Sequence, residues 1–134
     1  MFDTMLDLED TFASLHAVAS DRLGDEFFVN LQVGKAKDFP APRNMAYTTR
    51  DRHGDIVVVV APKLAVCEDM NRVEGVLRHE FGHAALWHMD KETHSERDAD
   101  SMGENLFGAP IYYDAEDVQT LAHGNRPRPT HLPK

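Results

Sequence analysis

Between Val73 and Met89 the chain reads as a single helix with apolar residues on two opposite sides, and no other feature narrows the possible folds as much. Leu77, Phe81, Ala84 and His88 fall in one sector of the wheel, while Val76 and Trp87 share the opposite sector with His79, Glu80 and His83. A helix apolar on two sides is a buried one, here expected between a sheet and another helix. Polar side chains on such an element must be paired or bound to a metal, because burying an uncompensated charge is costly. Residues four apart on a helix are separated by about 6 Å of rise and about 40° of rotation. His79 and His83 therefore stand one above the other, and both imidazoles can reach one ion. Gly82 lowers helix propensity by about 1 kcal/mol against Ala, which predicts a close backbone approach there to a neighbouring strand or substrate.

The rest of the chain predicts an α+β domain around this helix. From Asp3 to Leu23, Met5, Leu8, Phe12, Leu15 and Val18 recur at three- and four-residue spacings, an amphipathic helix that Gly24 stops. His16, beside that stripe, reads as a surface or half-buried histidine. Phe27, Val29, Leu31 and Val33 alternate along a half-buried strand, and Gly34 to Arg43, with Pro40 and Pro42, reads as a loop. Met45 to Thr49 is a second strand. Arg50 to Asp55 is a turn around Gly54, with His53 exposed in it. The uninterrupted run Ile56 to Ala61 predicts a strand buried on both faces, ended by Pro62, with Lys63 to Asn71 leading into the central helix. Two strands flanking a turn make the small sheet at least partly antiparallel. A further helix begins near Thr93 or Ser95 and runs to Phe107, closed by Gly108 and Pro110. Asp117 to Ala122 predicts a last short helix. With 134 residues the chain is expected to form one domain, 1–123, and a Pro- and Arg-containing mobile tail, 124–134.

Two histidines leave a catalytic zinc one protein ligand short. Downstream candidates are His88, Asp90, His94, Glu96, Asp98 and Asp100. His88 lies on the wrong side of the helix. Glu96 fits best, because a helix packed antiparallel beside the first turns one carboxylate toward the metal. Asp100, four residues on, shares that face and would hold a ligand histidine by its other ring nitrogen. His94 is the alternative third ligand.

His79-Glu80-Phe81-Gly82-His83 followed by Glu96-x-x-Ala99-Asp100 resembles the gluzincin pattern of H-E-x-x-H with a downstream E-x-x-A-D helix. The organisation is similar to that of small phage- and mobile-element-encoded metallopeptidases and of the ImmA/IrrE-like group. The valine strand, Pro62-Lys63-Leu64 and Val73 to Arg78 extend the likeness, which runs from about Asp55 to Tyr113. The interval from His83 to Glu96 is shorter than in relatives whose acidic ligand comes much later. A metzincin would place a third histidine where Met89 stands. The resemblance implies a minimal zincin-like fold, Zn2+ on His79, His83 and Glu96, and Glu80 as general base. On that reading the substrate is a protein or peptide, the Met45–Thr49 segment offers a sheet edge to which it could add, and Tyr112, Tyr113 and His123 are candidates for the second oxyanion donor.

Other classes are disfavoured. A formal charge of −9 argues against a nucleic-acid groove, and no apolar run approaches the roughly 18 residues that span a bilayer. One cysteine, Cys67, allows no internal disulfide and no Cys-based zinc finger. An acidic start without a basic and apolar leader predicts a cytoplasmic protein. Its small size keeps one alternative in play, a zinc-stabilised binding, regulatory or virion module without proteolysis, and a zinc hydrolase acting on a non-peptide amide is a separate one. The sequence sets no oligomeric state.

Overall fold

A computed structural model describes residues 4–39, 45–91 and 93–108. In chain order the elements are α1 (Thr4–Leu23), β1 (Val29–Val33), β2 (Ala46–Arg50), β3 (Ile56–Val60), α2 (Pro62–Ala65), α3 (Met70–His88) and α4 (Glu96–Phe107), with a short 3-10 turn at Ala36–Asp38. The fold is α+β, with four helices and a three-stranded mixed sheet among the described residues. The predicted helix Asp117–Ala122, the tail and the boundary at 123 lie outside the described residues. No described helix is long and apolar enough to cross a membrane.

β3 is the middle strand, in the order β1-β3-β2. It pairs antiparallel with β2, Thr48 opposite Val58, and parallel with β1, Leu31 opposite Val58. The β2–β3 hairpin closes through an Asp51-based turn, whose Oδ1 accepts from the backbone N–H groups of His53 and Asp55 at 2.8 and 3.0 Å. Gly54 adopts φ 85° there, a value that an L side chain rarely takes. All five residues of β3 are buried, because the two faces of the strand serve different cores. Ile56, Val58 and Val60 face the helices, while Val57 and Val59 pack with Phe39 and Ala61 on the other side.

α3 touches α1, α4, β2 and β3, which makes it the buried centre that its two apolar sides predict. Its hydrophobic sector meets α1 and the segment that precedes β1, where the Phe81 ring packs 5.0 Å from Phe12 and 6.3 Å from Phe27. Two expectations from periodicity are corrected. Val18 is 42% exposed, and Ala19 takes the buried position on α1 after Leu15. Along β1, which has one neighbour among the described strands, the burial fades from Val29 to an exposed Val33. The lead-in from Pro62 also holds a turn of helix, α2. His16 is half-buried as expected, and its Nε2 accepts from the Val29 backbone N–H at 3.2 Å, tying α1 to β1.

Candidate metal centre

The site is made where α3 and α4 come closest, and two small residues set that distance. A Cβ built on Gly82 would lie 1.9 Å from the Ala99 carbonyl oxygen, so only glycine lets the backbones meet. Ala99 itself is fully buried. The close approach predicted for Gly82 is therefore real, but its partner is α4 and not a strand. Gly82 stands between His79 and His83 on α3, and Ala99 between Glu96 and Asp100 on α4. The contact thus aligns both polar pairs.

Local chemistry fixes where α4 begins. The Ser95 hydroxyl accepts from the Asp98 N–H at 3.0 Å, and the Asp98 carboxylate accepts from the Ser95 N–H at 3.1 Å, a reciprocal capping box. Asp98, one of the candidate ligands, is committed to that cap. Glu96 becomes the first residue of the helix, where the helix dipole favours a carboxylate. At the other end Gly108 closes α4 with φ 64°. The start of α3 is capped by Asp69, which accepts from the Arg72 N–H.

His79, Glu80, His83, Glu96 and Asp100 are all between 0% and 2% exposed. Three of their atoms form a tight triangle. His79 Nε2 and His83 Nε2 lie 3.2 Å apart, and Glu96 Oε1 lies 3.0 Å from the first and 3.1 Å from the second. His79, His83 and Glu96 thus form a buried group that could hold a metal ion. The remaining ring nitrogens point outward. His79 Nδ1 donates to Asp100 Oδ1 at 2.6 Å, and His83 Nδ1 lies 2.7 Å from His94 Nε2. His94 therefore sits behind His83, not in the triangle, which corrects its reading as an alternative third ligand. His88 faces away, its ring 5.3 Å from Phe27, and Asp90 is exposed at the end of α3. Tyr112, Tyr113 and His123 lie outside the described residues.

The electrostatics follow from burial and pairing. Burial works against a charged His79, yet hydrogen bonds to Asp100 and Glu96, with the nearby carboxylates, raise it to about 10. Burial also opposes ionisation of Glu96, and hydrogen bonds to both histidines outweigh it, holding the carboxyl at about 2. Burial lowers His83 and His94. With no cation in the triangle, a proton on His79 is the positive charge that balances Glu96. A single proton cannot satisfy two imidazole nitrogens and a carboxylate oxygen at once, whereas a metal ion can. Glu96 Oε2, buried without a hydrogen-bond partner among the described residues, is a further acceptor facing no donor.

The donor set and spacing fit zinc. For bonds of 2.0–2.1 Å, adjacent ligand atoms of a tetrahedron are about 3.3 Å apart, within a few tenths of an ångström of all three edges. Two imidazoles and one carboxylate suit zinc or ferrous iron and not the hard, oxygen-seeking cations.

Besides Asp100, Glu80 is a second buried carboxylate beside the triangle and outside it. Its Oε1 accepts a 2.7 Å hydrogen bond from the Thr48 hydroxyl on β2, and its Oε2 is buried without a partner among the described residues. Burial is the main cause that lifts this carboxyl to about 7, with Glu96 and Asp100 adding to it and His79 and Thr48 opposing. A cation in the triangle would pull that value down again. Sequence reasoning missed Thr48 altogether. A threonine in the middle of a strand carries no signal of its partner on another element.

The chain was compared with family models, with curated proteins and with solved structures, and none of them matches it.

Proposed function

We propose that this protein is a zinc-dependent metallopeptidase. The observation that carries the reading is the pairing of a His79–His83–Glu96 triangle with a separate, buried Glu80 that has one oxygen anchored and the other without a partner among the described residues. A ferrous site of the same ligand set would have no use for that further carboxylate, which is why zinc is favoured. The gluzincin-like spacing of Glu96, Ala99 and Asp100 supports the same reading.

In this reading His79, His83 and Glu96 hold the ion, which when bound polarises the scissile carbonyl and makes a water acidic near neutral pH. Glu80 Oε2 accepts the proton of the attacking water and passes it to the leaving amine. Thr48 keeps Oε1 occupied, so the same oxygen serves on every turnover. Asp100 holds the His79 ring in the tautomer that presents Nε2. The substrate peptide pairs with the edge of β2, which has β3 as its only partner among the described strands and carries Thr48 next to the base. Tyr112, Tyr113 and His123 are the residues proposed to supply the second oxyanion donor.

The test is Glu80→Gln. Metal analysis should show zinc in both proteins in equal amount, while a peptide library read by mass spectrometry is cut only by the wild type. Equal cleavage by both would remove Glu80 as the base. The near-complete burial of all three ligands favours a second reading, a metal-stabilised module without catalysis, since catalytic zinc needs access for water and substrate. In that case chelation lowers the melting midpoint and no peptide is cut.

A further inference from the structure

The end of α3 is built to present one backbone carbonyl. Asp90 adopts φ 63°, and the Lys91 and Asp90 N–H groups return to the Leu86 and Trp87 carbonyls at 2.8 and 3.0 Å, which is a Schellman closure with aspartate at the left-handed position. The turn holds the Lys91 carbonyl against His94, whose Nδ1 lies 2.8 Å from it. A carbonyl only accepts, so the proton of His94 is on Nδ1 and its Nε2 carries the lone pair. That lone pair meets His83 Nδ1 at 2.7 Å, which must then be the protonated nitrogen of His83. The chain of donors therefore runs from His83 through His94 to the Lys91 carbonyl. It leaves the lone pair of His83 Nε2 pointing at His79 and Glu96. The Trp87 ring, 6.2 Å from the His94 ring and itself under the Arg50 guanidinium at 5.5 Å, walls this arrangement on one side.

From this geometry we infer that His94 is a positioning residue of the metal centre, an imidazole acceptor that fixes the tautomer and orientation of His83. The two ligand histidines are thus held differently. Asp100 supports His79 with an anionic acceptor, and His94 supports His83 with an uncharged one set by the backbone. The inference rests on the metal-binding reading, and its consequence is metal affinity, whatever reaction the centre serves.

The full-length protein is stripped of metal and titrated with Zn2+ alone against a chromophoric chelator, as wild type, His94→Leu and His94→Gln. Leucine keeps bulk without an acceptor, and glutamine keeps an acceptor oxygen at comparable reach. His94→Leu should bind Zn2+ about 10–100-fold more weakly, the usual effect of losing such a partner, with His94→Gln recovering most of the affinity. Melting in excess chelator controls for the fold. If His94→Leu loses the fold, His94→Lys, similar in length but donor-only, replaces it and must weaken binding where glutamine does not. Leucine binding as tightly as wild type, or glutamine falling as far as leucine, would overturn the role of His94 and leave the metal centre standing. A wild type that binds no Zn2+ would instead overturn the metal-binding reading, a different and separable result.

Discussion

Replacing Gly82 with alanine probes the contact on which the whole centre depends. The added Cβ would sit 1.9 Å from the Ala99 carbonyl oxygen, where a real Cβ essentially never approaches closer than 3.0 Å. One helix must retreat by about 1.1 Å, and the obstacle is backbone, which cannot turn aside as a side chain does. Overpacking of this kind costs about 1–3 kcal/mol, and the upper end applies here. Alanine recovers about 1 kcal/mol of helix propensity, so the net loss is about 2 kcal/mol. In a domain of this length that is a fall of several degrees in the melting midpoint. Metal binding should suffer more. Glu96 Oε1 sits 3.0 and 3.1 Å from the two histidine nitrogens, and a ligand set tolerates errors of only about 0.2 Å before it distorts. The expected pattern in Gly82→Ala is a folded protein by circular dichroism, several degrees less stable, with Zn2+ affinity reduced at least a hundredfold. A variant as stable as the wild type with unchanged affinity would refute the close approach of α3 and α4.

Other perturbations address separate parts of the site. Glu80, raised to about 7 by burial, binds more protons folded than unfolded between pH 4.5 and 7, so it removes stability as pH rises through that window. Glu80→Gln should therefore unfold at higher denaturant than wild type at pH 8 in chelator, by of order 3 kcal/mol, with the gap closing toward pH 4.5. Thr48→Val takes away the hydroxyl that anchors Glu80 Oε1 and should cost about 1–2 kcal/mol in chemical denaturation, with Zn2+ content unchanged and Thr48→Ser restoring most of the loss. Asp90 holds φ 63° in an exposed turn, so Asp90→Gly should raise the melting midpoint by the equivalent of about 1 kcal/mol, and a lower midpoint would contradict the left-handed turn.

Local order in the sequence determined much of this protein. The spacing of His79 and His83 sets them on one helical face, and Glu96 and Asp100 share a face for the same reason, because helical periodicity needs no knowledge of the rest of the chain. The buried valine strand, the β2–β3 turn, the serine start of α4 and its Gly108 stop are local in the same sense. Even the joining of two helices at one site was legible, since a pair of histidines without a third ligand demands one from elsewhere. The tertiary structure alone decided the rest. It made Gly82 the neighbour of Ala99, gave Glu80 a threonine from an edge strand, and set His94 behind His83 and not beside it. Each of these depends on the distance and rotation between separate elements. Those are set by side-chain volume and backbone contact in three dimensions, which the spacing of residues along one chain does not encode.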